Sequence, residues 1–202
     1  FIFYSSDHGE QVGEHGLWWK QTFYDDSARV PAILSWPGRL PEGTRCDRII
    51  SSLDLNATML DALGAPPLPT SRGRSLLPLI DDPANAEWDD VAFSEYVTSD
   101  GCLHRMIRSG HWKLCYYHGQ PSQLFNIQDD PRETDDRSAD PDCQTLLKEL
   151  TERVLDGWNP EEITAKVAVK DAESTILSRW ARHTRPPDTH RWNLRPEMDY
   201  LE

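Results

Sequence analysis

Asp7 and His8 stand side by side after a run of apolar and aromatic residues, Phe1-Ile2-Phe3-Tyr4, and Lys20 follows thirteen positions after Asp7. A carboxylate and an imidazole at the exit of a strand suit one divalent cation. A nearby ammonium suits an anion held against that cation. The carboxyl ends of strands in α/β sheets are also where such folds place their ligands. A plainer alternative for Asp7 is a cap on a strand-terminal turn. For Lys20 the alternative is an exposed amine beside tryptophans. His15 lies in the same loop, and an imidazole is a side chain that suits a proton donor to a leaving group. A loop-organising hydrogen bond is its other role. Trp18, Trp19 and Tyr24 could form an aromatic wall that attracts a quaternary ammonium group, or pack beneath the loop.

The elements that must hold these groups follow from pattern. Residues 1–6 read as a buried strand, and Gly9 and Gly13 permit tight turns in the loop beyond it. A short helical turn is expected within residues 22–28, and a second buried strand over residues 30–36. Residues 46–51 read as a third strand. A helix is expected over residues 53–63, capped by Ser52 or Asp54, with Met59, Leu60 and Leu63 on its apolar face and Gly64 at its end. Residues 65–90 read as an irregular connection, with residues 75–80 packing back on the core. From Val91 onward VAFSEYV, LHRMIRS, HWKLCYYH and SQLFNI are short runs separated by turns, Ser109-Gly110 giving a hairpin signal. They predict a four-stranded antiparallel sheet with one exposed face. Leu146, Leu147, Leu150 and Val154 mark an amphipathic helix over residues 143–155. A further helix is expected within residues 163–180, and the tail from Arg182 shows little periodicity.

The chain has 202 residues and a net charge of −13. That length allows one sizeable core with an appendage. The acidic balance argues against nucleic acid or an anionic membrane as partner, and no apolar run is long enough to span a bilayer. Cys46, Cys102, Cys115 and Cys143 fit no zinc spacing and read as four separate thiols. That favours the cytoplasm slightly over the periplasm. The sequence begins at Phe1, inside a strand, and reads as the C-terminal piece of a longer protein.

The stretch SSDHGEQVGEHGLWWKQTFYDDSARVP, Ser5 to Pro31, resembles the sulfatase branch of the alkaline phosphatase-like superfamily. There a motif S-D-H/N-G-x-x-x-G-E/x-H-G-x-x-x-K precedes a tyrosine and a Val-Pro. A second stretch, MIRSGHWKLCYYHGQPSQLFNIQDDPRETDD, Met106 to Asp136, resembles the sulfatase C-terminal subdomain, where R-x-G-x-x-K leads into L-F-D-L-x-x-D-P-x-E. Asn126 replaces the usual aspartate there, and Asp135-Asp136 replace a common asparagine-leucine pair. The run from Ser94 to Arg108 is similar to choline-sulfatase-like and phosphonate-monoester-hydrolase-like members.

The resemblance implies an α/β fold: the C-terminal part of an alkaline phosphatase-like sandwich over residues 1–90, then an α+β subdomain and tail over residues 91–202. It implies a metal-dependent sulfuric ester hydrolase, with phosphodiester or phosphonate hydrolysis, or a catalytically inactive binding module, as alternatives. Asp7 and His8 would hold one divalent cation, Ca²⁺ first, with Mn²⁺ or Mg²⁺ as alternatives. Lys20 and His15 would serve catalysis, and Lys20, Trp18, Trp19, Glu95 and His104 would meet a small sulfate, phosphate or phosphonate ester. The family nucleophile is a formylglycine made in C/S-x-P-x-R. None of the four cysteines matches that pattern, so the nucleophile is expected upstream and this piece is expected to be inactive alone. Self-association into a homo-oligomer is left open.

Overall fold

The computed structural model describes residues 1–83, 86–98 and 100–185. The chain divides into two compact units, residues 1–158 and 159–202. The first unit opens with strand β1, Ile2–Ser5, paired antiparallel to β2, Ala32–Ser35, in the register Ile2↔Ser35 to Ser5↔Ala32. Between them lies the helical turn α1, Asp25–Ala28. The two strands are not the buried strands that their composition predicts. Ile2 is 68 % and Ile33 58 % exposed, and Tyr4 lies open on the same face. The opposite face does pack, with Phe3 against the buried cluster of Leu55, Leu76 and Leu79.

Residues 46–51 do not form a strand. Their backbone groups are taken by side chains instead: Ile49 N–H donates to Asp90 Oδ1 (3.1 Å), and Ile49 O accepts from Trp88 Nε1 (2.7 Å). The next element is helix α2, Ser52–Ala62, and its cap is Ser51 rather than Ser52. Asp54 supplies the reciprocal half of a capping box, its Oδ2 accepting from Ser51 N–H (2.7 Å). The buried face of α2 also differs from the expected one. It carries Asp54, Leu55 and Thr58, while Leu63 stands exposed. The reason is the segment that follows. Arg74 N–H donates to Asp54 Oδ1 (2.9 Å) and Leu76 N–H to Thr58 Oγ1 (2.8 Å). These bonds draw the segment onto that face and lead it into α3, Leu77–Asp81. Leu76, Leu77 and Leu79 are buried, so this stretch packs back on the core as expected.

The four-stranded sheet is present in sequence order: β3 Val91–Val97, β4 Leu103–Ser109, β5 Trp112–Tyr117 and β6 Gln123–Asn126, each antiparallel to the next. Ser109 pairs with Trp112, so Gly110-His111 form the hairpin loop. Helix α4, Gln144–Leu155, covers one face, packing Leu150 and Val154 on Ile107, Leu114 and Leu124. Each such fully buried aliphatic side chain is worth about 1.5–3 kcal/mol. The second face is covered too, contrary to expectation. Phe23, Tyr24 and Ala28 pack on Met106, Cys115 and Phe125 there. The loop that leaves β1 therefore returns to the sheet.

The second unit carries helix α5, Pro160–Thr184, which extends the expected helix at both ends. Asn159 Oδ1 accepts from the N–H groups of Glu161 and Glu162, and Pro160 opens the helix with its missing N–H where none is needed. Arg182 to Thr184 belong to this helix, and residues 186–202 of the tail lie outside the described residues. Among the described residues no helix is long and apolar enough to cross a membrane. The four cysteines are unpaired: Cys46 and Cys102 are exposed, Cys115 and Cys143 buried.

Candidate cation and oxyanion site

Asp7, His8 and Lys20 come together at the exit of β1. His8 Nδ1 lies 2.7 Å from Gly9 O, and a carbonyl can only accept, so Nδ1 carries the proton. His8 Nε2 lies 2.6 Å from Lys20 Nζ, and an ammonium can only donate, so Nε2 presents its lone pair. Asp7 Oδ2 is 3.3 Å from the same Nε2. Two acceptors therefore face each other with no proton between them, and the Lys20 ammonium is the cation on one of them.

The donor set fits a divalent ion. Ligands each about 2.3 Å from one ion and at right angles to each other stand about 3.3 Å apart. Burial would raise the Asp7 carboxyl, but hydrogen bonds from its own and the His8 backbone and the basic side chains of His8 and Lys20 hold it below its usual range. It is thus ionised at neutral pH. The Nδ1–H···O bond fixes the tautomer and orientation of the ring. Among the described residues no third histidine, cysteine or carboxylate joins the pair.

The loop that brings Lys20 back is held at several points. Gly9 N–H donates to Ser27 O and Glu10 N–H to Asp26 O, both 2.8 Å. Gly9 serves this close approach rather than a turn, since a Cβ there would lie 1.9 Å from Asp26 O. Gly13 does make a turn, at φ 96°. The buried Gln11 donates from Nε2 to Thr22 Oγ1 (2.8 Å) and from its backbone to Trp19 O (3.0 Å). Ser27 Oγ donates to Lys20 O. Val12, His15 and Trp19 all take positive φ, at 48°, 53° and 72°. Three non-glycine residues in the left-handed region within eight positions are strain that the surrounding bonds must offset, a feature that clusters at ligand sites.

The other expected site residues are dispersed. The His15 ring stacks on Tyr24 at 3.8 Å, and Tyr24 in turn tilts against Phe125. Tyr24 is therefore part of the packing and does not join Trp18 and Trp19, which stand 68 % and 75 % exposed beside Lys20 in the chain. Glu95 and His104 occupy opposite faces of the sheet, because neighbouring positions of paired strands alternate. Glu95 faces Arg105, its register partner, at 3.6 Å. Arg105 lies over the rings of Phe93 and Trp158 and donates to Val154 O, on the α4 side. His104 lies on the loop side, edge-on to Tyr96 and Tyr117. Burial lowers its pKa, against the opposing charge of Asp100. Tyr96 Oη donates to Gln21 O, so this side of the sheet does reach the residue after Lys20.

The serine form of the nucleophile pattern does occur once in the sequence. Ser35 to Arg39 reads S-W-P-G-R. Ser35 pairs with Ile2 at the far end of β1 from Asp7, and the length of that strand keeps it roughly 10 Å or more away. Arg39 is engaged by Asp81 through two bonds of 2.6 and 2.7 Å. Ser35 ends β2 and the rest of the segment turns away after it, so this serine is not set against Asp7 and His8.

The family model described as N-sulphoglucosamine sulphohydrolase, C-terminal, matches residues 13–159. The chain belongs to that family. It is 31 % identical over 183 residues to a choline-sulfatase of Rhizobium meliloti (strain 1021), covering 87 % of this chain and 35 % of that protein. It is 34 % identical over 142 residues to arylsulfatase K of Homo sapiens, covering 65 % and 26 %. The crystal structure of a phosphonate monoester hydrolase of Agrobacterium radiobacter superposes with a TM-score of 0.69 at 28 % identity, over 77 % of this chain and 34 % of that one. This sulfatase-family chain thus spans about a third of the length of the first of these relatives. Its mixed α/β fold is the alkaline phosphatase-like one that such sulfatases share.

Proposed function

We propose that this chain is the C-terminal portion of a divalent-cation-dependent sulfuric ester hydrolase acting on small sulfate esters. Residues 1–90 would close the α/β core and carry the cation and anion loop, and residues 91–202 would form the subdomain and tail. The observation that carries this reading is the meeting of Asp7 Oδ2, His8 Nε2 and Lys20 Nζ. Asp7 and His8 would hold one cation, Ca²⁺ first and Mn²⁺ or Mg²⁺ second, with its remaining ligands from outside this chain. Bound there, the ion supplies positive charge against an ester oxygen. His8 Nδ1 keeps its proton and goes on donating it to Gly9 O, which keeps the Nε2 lone pair aimed at the site. Lys20 leaves that lone pair and turns its ammonium to an oxygen of the sulfate, where charge accumulates as the S–O bond breaks. Trp18 and Trp19 would offer exposed ring faces to the alcohol part of the ester, a quaternary ammonium group among the candidates. His15, stacked on Tyr24, would position the loop. The formylglycine nucleophile of sulfatases would come from outside this chain, so the isolated chain would turn nothing over.

The likeness to a phosphonate monoester hydrolase favours one second reading, hydrolysis of phosphate diesters or phosphonate monoesters at the same site. The test is hydrolysis of 4-nitrophenyl sulfate and of bis(4-nitrophenyl) phosphate by the full-length protein, beside Asp7→Ala and Lys20→Ala. Sulfate turnover falling about 10²–10³-fold in Lys20→Ala is the expected result. Turnover of the phosphate diester alone would establish the second reading. Equal turnover by wild type and Asp7→Ala would overturn both.

A further inference from the structure

The largest fully buried side chain among the described residues of the first unit is charged and lies outside the site. Lys113, on β5, is 1 % exposed. Its ammonium donates to Phe23 O (2.9 Å), contacts Asp25 Oδ1, and forms an ion pair with Glu133 Oε1 at 2.6 Å. Glu133 is itself buried, and its Oε2 accepts from Asp25 N–H at 2.5 Å. Arg108, the register partner of Lys113 across the hairpin, adds a second positive charge whose field reaches both carboxylates. Glu133 takes φ 55°, a left-handed conformation that a glutamate holds only when packing determines it. Chain segments separated by 88 and 108 residues are thus joined at one buried point.

What that point holds is α1. Asp25 opens this helical turn, and its other residues touch both halves of the cation and oxyanion site. Ser27 O and Asp26 O accept from the backbone of Gly9 and Glu10, immediately after His8. Ser27 Oγ holds the carbonyl of Lys20. The geometry points to Lys113, with Glu133 and Asp25, as a positioning clamp that fixes α1 on the sheet and so sets the separation of His8 and Lys20. Lys113 and Glu133 are the lysine of R-x-G-x-x-K and the glutamate of D-P-x-E, which stand 20 residues apart and meet only in the fold. The bearing of the clamp on ester hydrolysis rests on the reading of Lys20 given above, whereas its mechanical action does not.

Removing Lys113 alone strands the buried Glu133 carboxylate and the half-buried one of Asp25, and destabilises the whole unit. The informative variant is therefore Lys113→Met/Glu133→Gln, which removes one charge of each sign. Glu133→Leu, altered in a turn outside the sheet, provides an independent second variant. The readout is residue-resolved amide hydrogen exchange on the 202-residue chain under native conditions. The expected result in both variants is a loss of protection of about tenfold or more at Gly9, Glu10 and Ala28, with the β4–β5 ladder within about twofold of wild type. Unchanged protection at Gly9 and Glu10 would overturn the clamp. So would an equal fall at site and ladder, which would make Lys113 a general stabiliser of the sheet. Neither outcome depends on the protein being a sulfatase. In the full-length enzyme the clamp predicts a lower kcat with KM little changed for Lys113→Met/Glu133→Gln.

Discussion

Substituting Gly9 by alanine should damage the site without touching a functional side chain. The added Cβ would lie 1.9 Å from Asp26 O and 2.9 Å from Asp26 C, both backbone atoms of α1. An ordinary contact needs about 3.4 Å, so the two segments must part by about 1.5 Å. The bonds Gly9 N–H to Ser27 O and Glu10 N–H to Asp26 O are 2.8 Å long and cannot stretch that far. Two backbone hydrogen bonds, each worth about 0.5–1.5 kcal/mol net, would be lost, so about 1–3 kcal/mol in all. With a urea m-value of about 2 kcal/mol per molar, the unfolding midpoint should fall by about 0.5–1.5 M. Gly13→Asn is the control. Gly13, unlike Gly9, takes a positive φ, but a Cβ there meets nothing within 4 Å, and asparagine tolerates the left-handed region. Its midpoint should stay within about 0.3 M of wild type. Gly9→Ala leaving the midpoint unchanged would refute the packing of α1 against the residues after His8.

Other consequences are open to simple assays. Thiol titration of the native chain should label Cys46 and Cys102 but neither Cys115 nor Cys143, and all four should react in denaturant. Cys115 is doubly protected, since burial pushes its thiol up to about 12. Asp54→Ala should cost about 2 kcal/mol by urea unfolding, because it removes both the capping-box bond to Ser51 and the acceptor for Arg74 N–H. Hydrogen bonds from Arg39 and Arg137 hold the Asp81 and Asp140 carboxyls below their ordinary range. Their folded pKa values lie below the unfolded ones, so their stabilisation is full above about pH 4 and is lost as the pH falls further. Arg39→Met should flatten that acid limb of the unfolding midpoint, and a limb of unchanged slope would count against the Arg39–Asp81 pair.

The meeting of Asp7, His8 and Lys20 is legible because these residues lie close together in sequence. Asp7, His8 and Lys20 sit within one loop, and their spacing survives any rearrangement of the rest. The long-range contacts left no such trace. Lys113 reads as a strand lysine and Glu133 as part of an acidic turn, and neither local pattern says that they meet Asp25 in the interior. Residues 46–51 have strand composition, yet Asp90 and Trp88, some forty positions later, take their backbone bonds. The resemblance names Glu95 and His104 together as substrate contacts, whereas strand register places them on opposite faces of the sheet. The apolar residues of β1 and β2 promised burial, but a two-stranded pair leaves Ile2, Tyr4 and Ile33 uncovered on one side.

A crystal structure of the full-length protein with its cation and sulfate bound is the most direct measurement of the proposed site. The prediction is that Asp7 and His8 Nε2 bind the same ion, while Lys20 Nζ has left the imidazole and lies within hydrogen-bond reach of a sulfate oxygen. An ion held without Asp7 and His8, or a Lys20 that stays on the imidazole with sulfate in place, would contradict it.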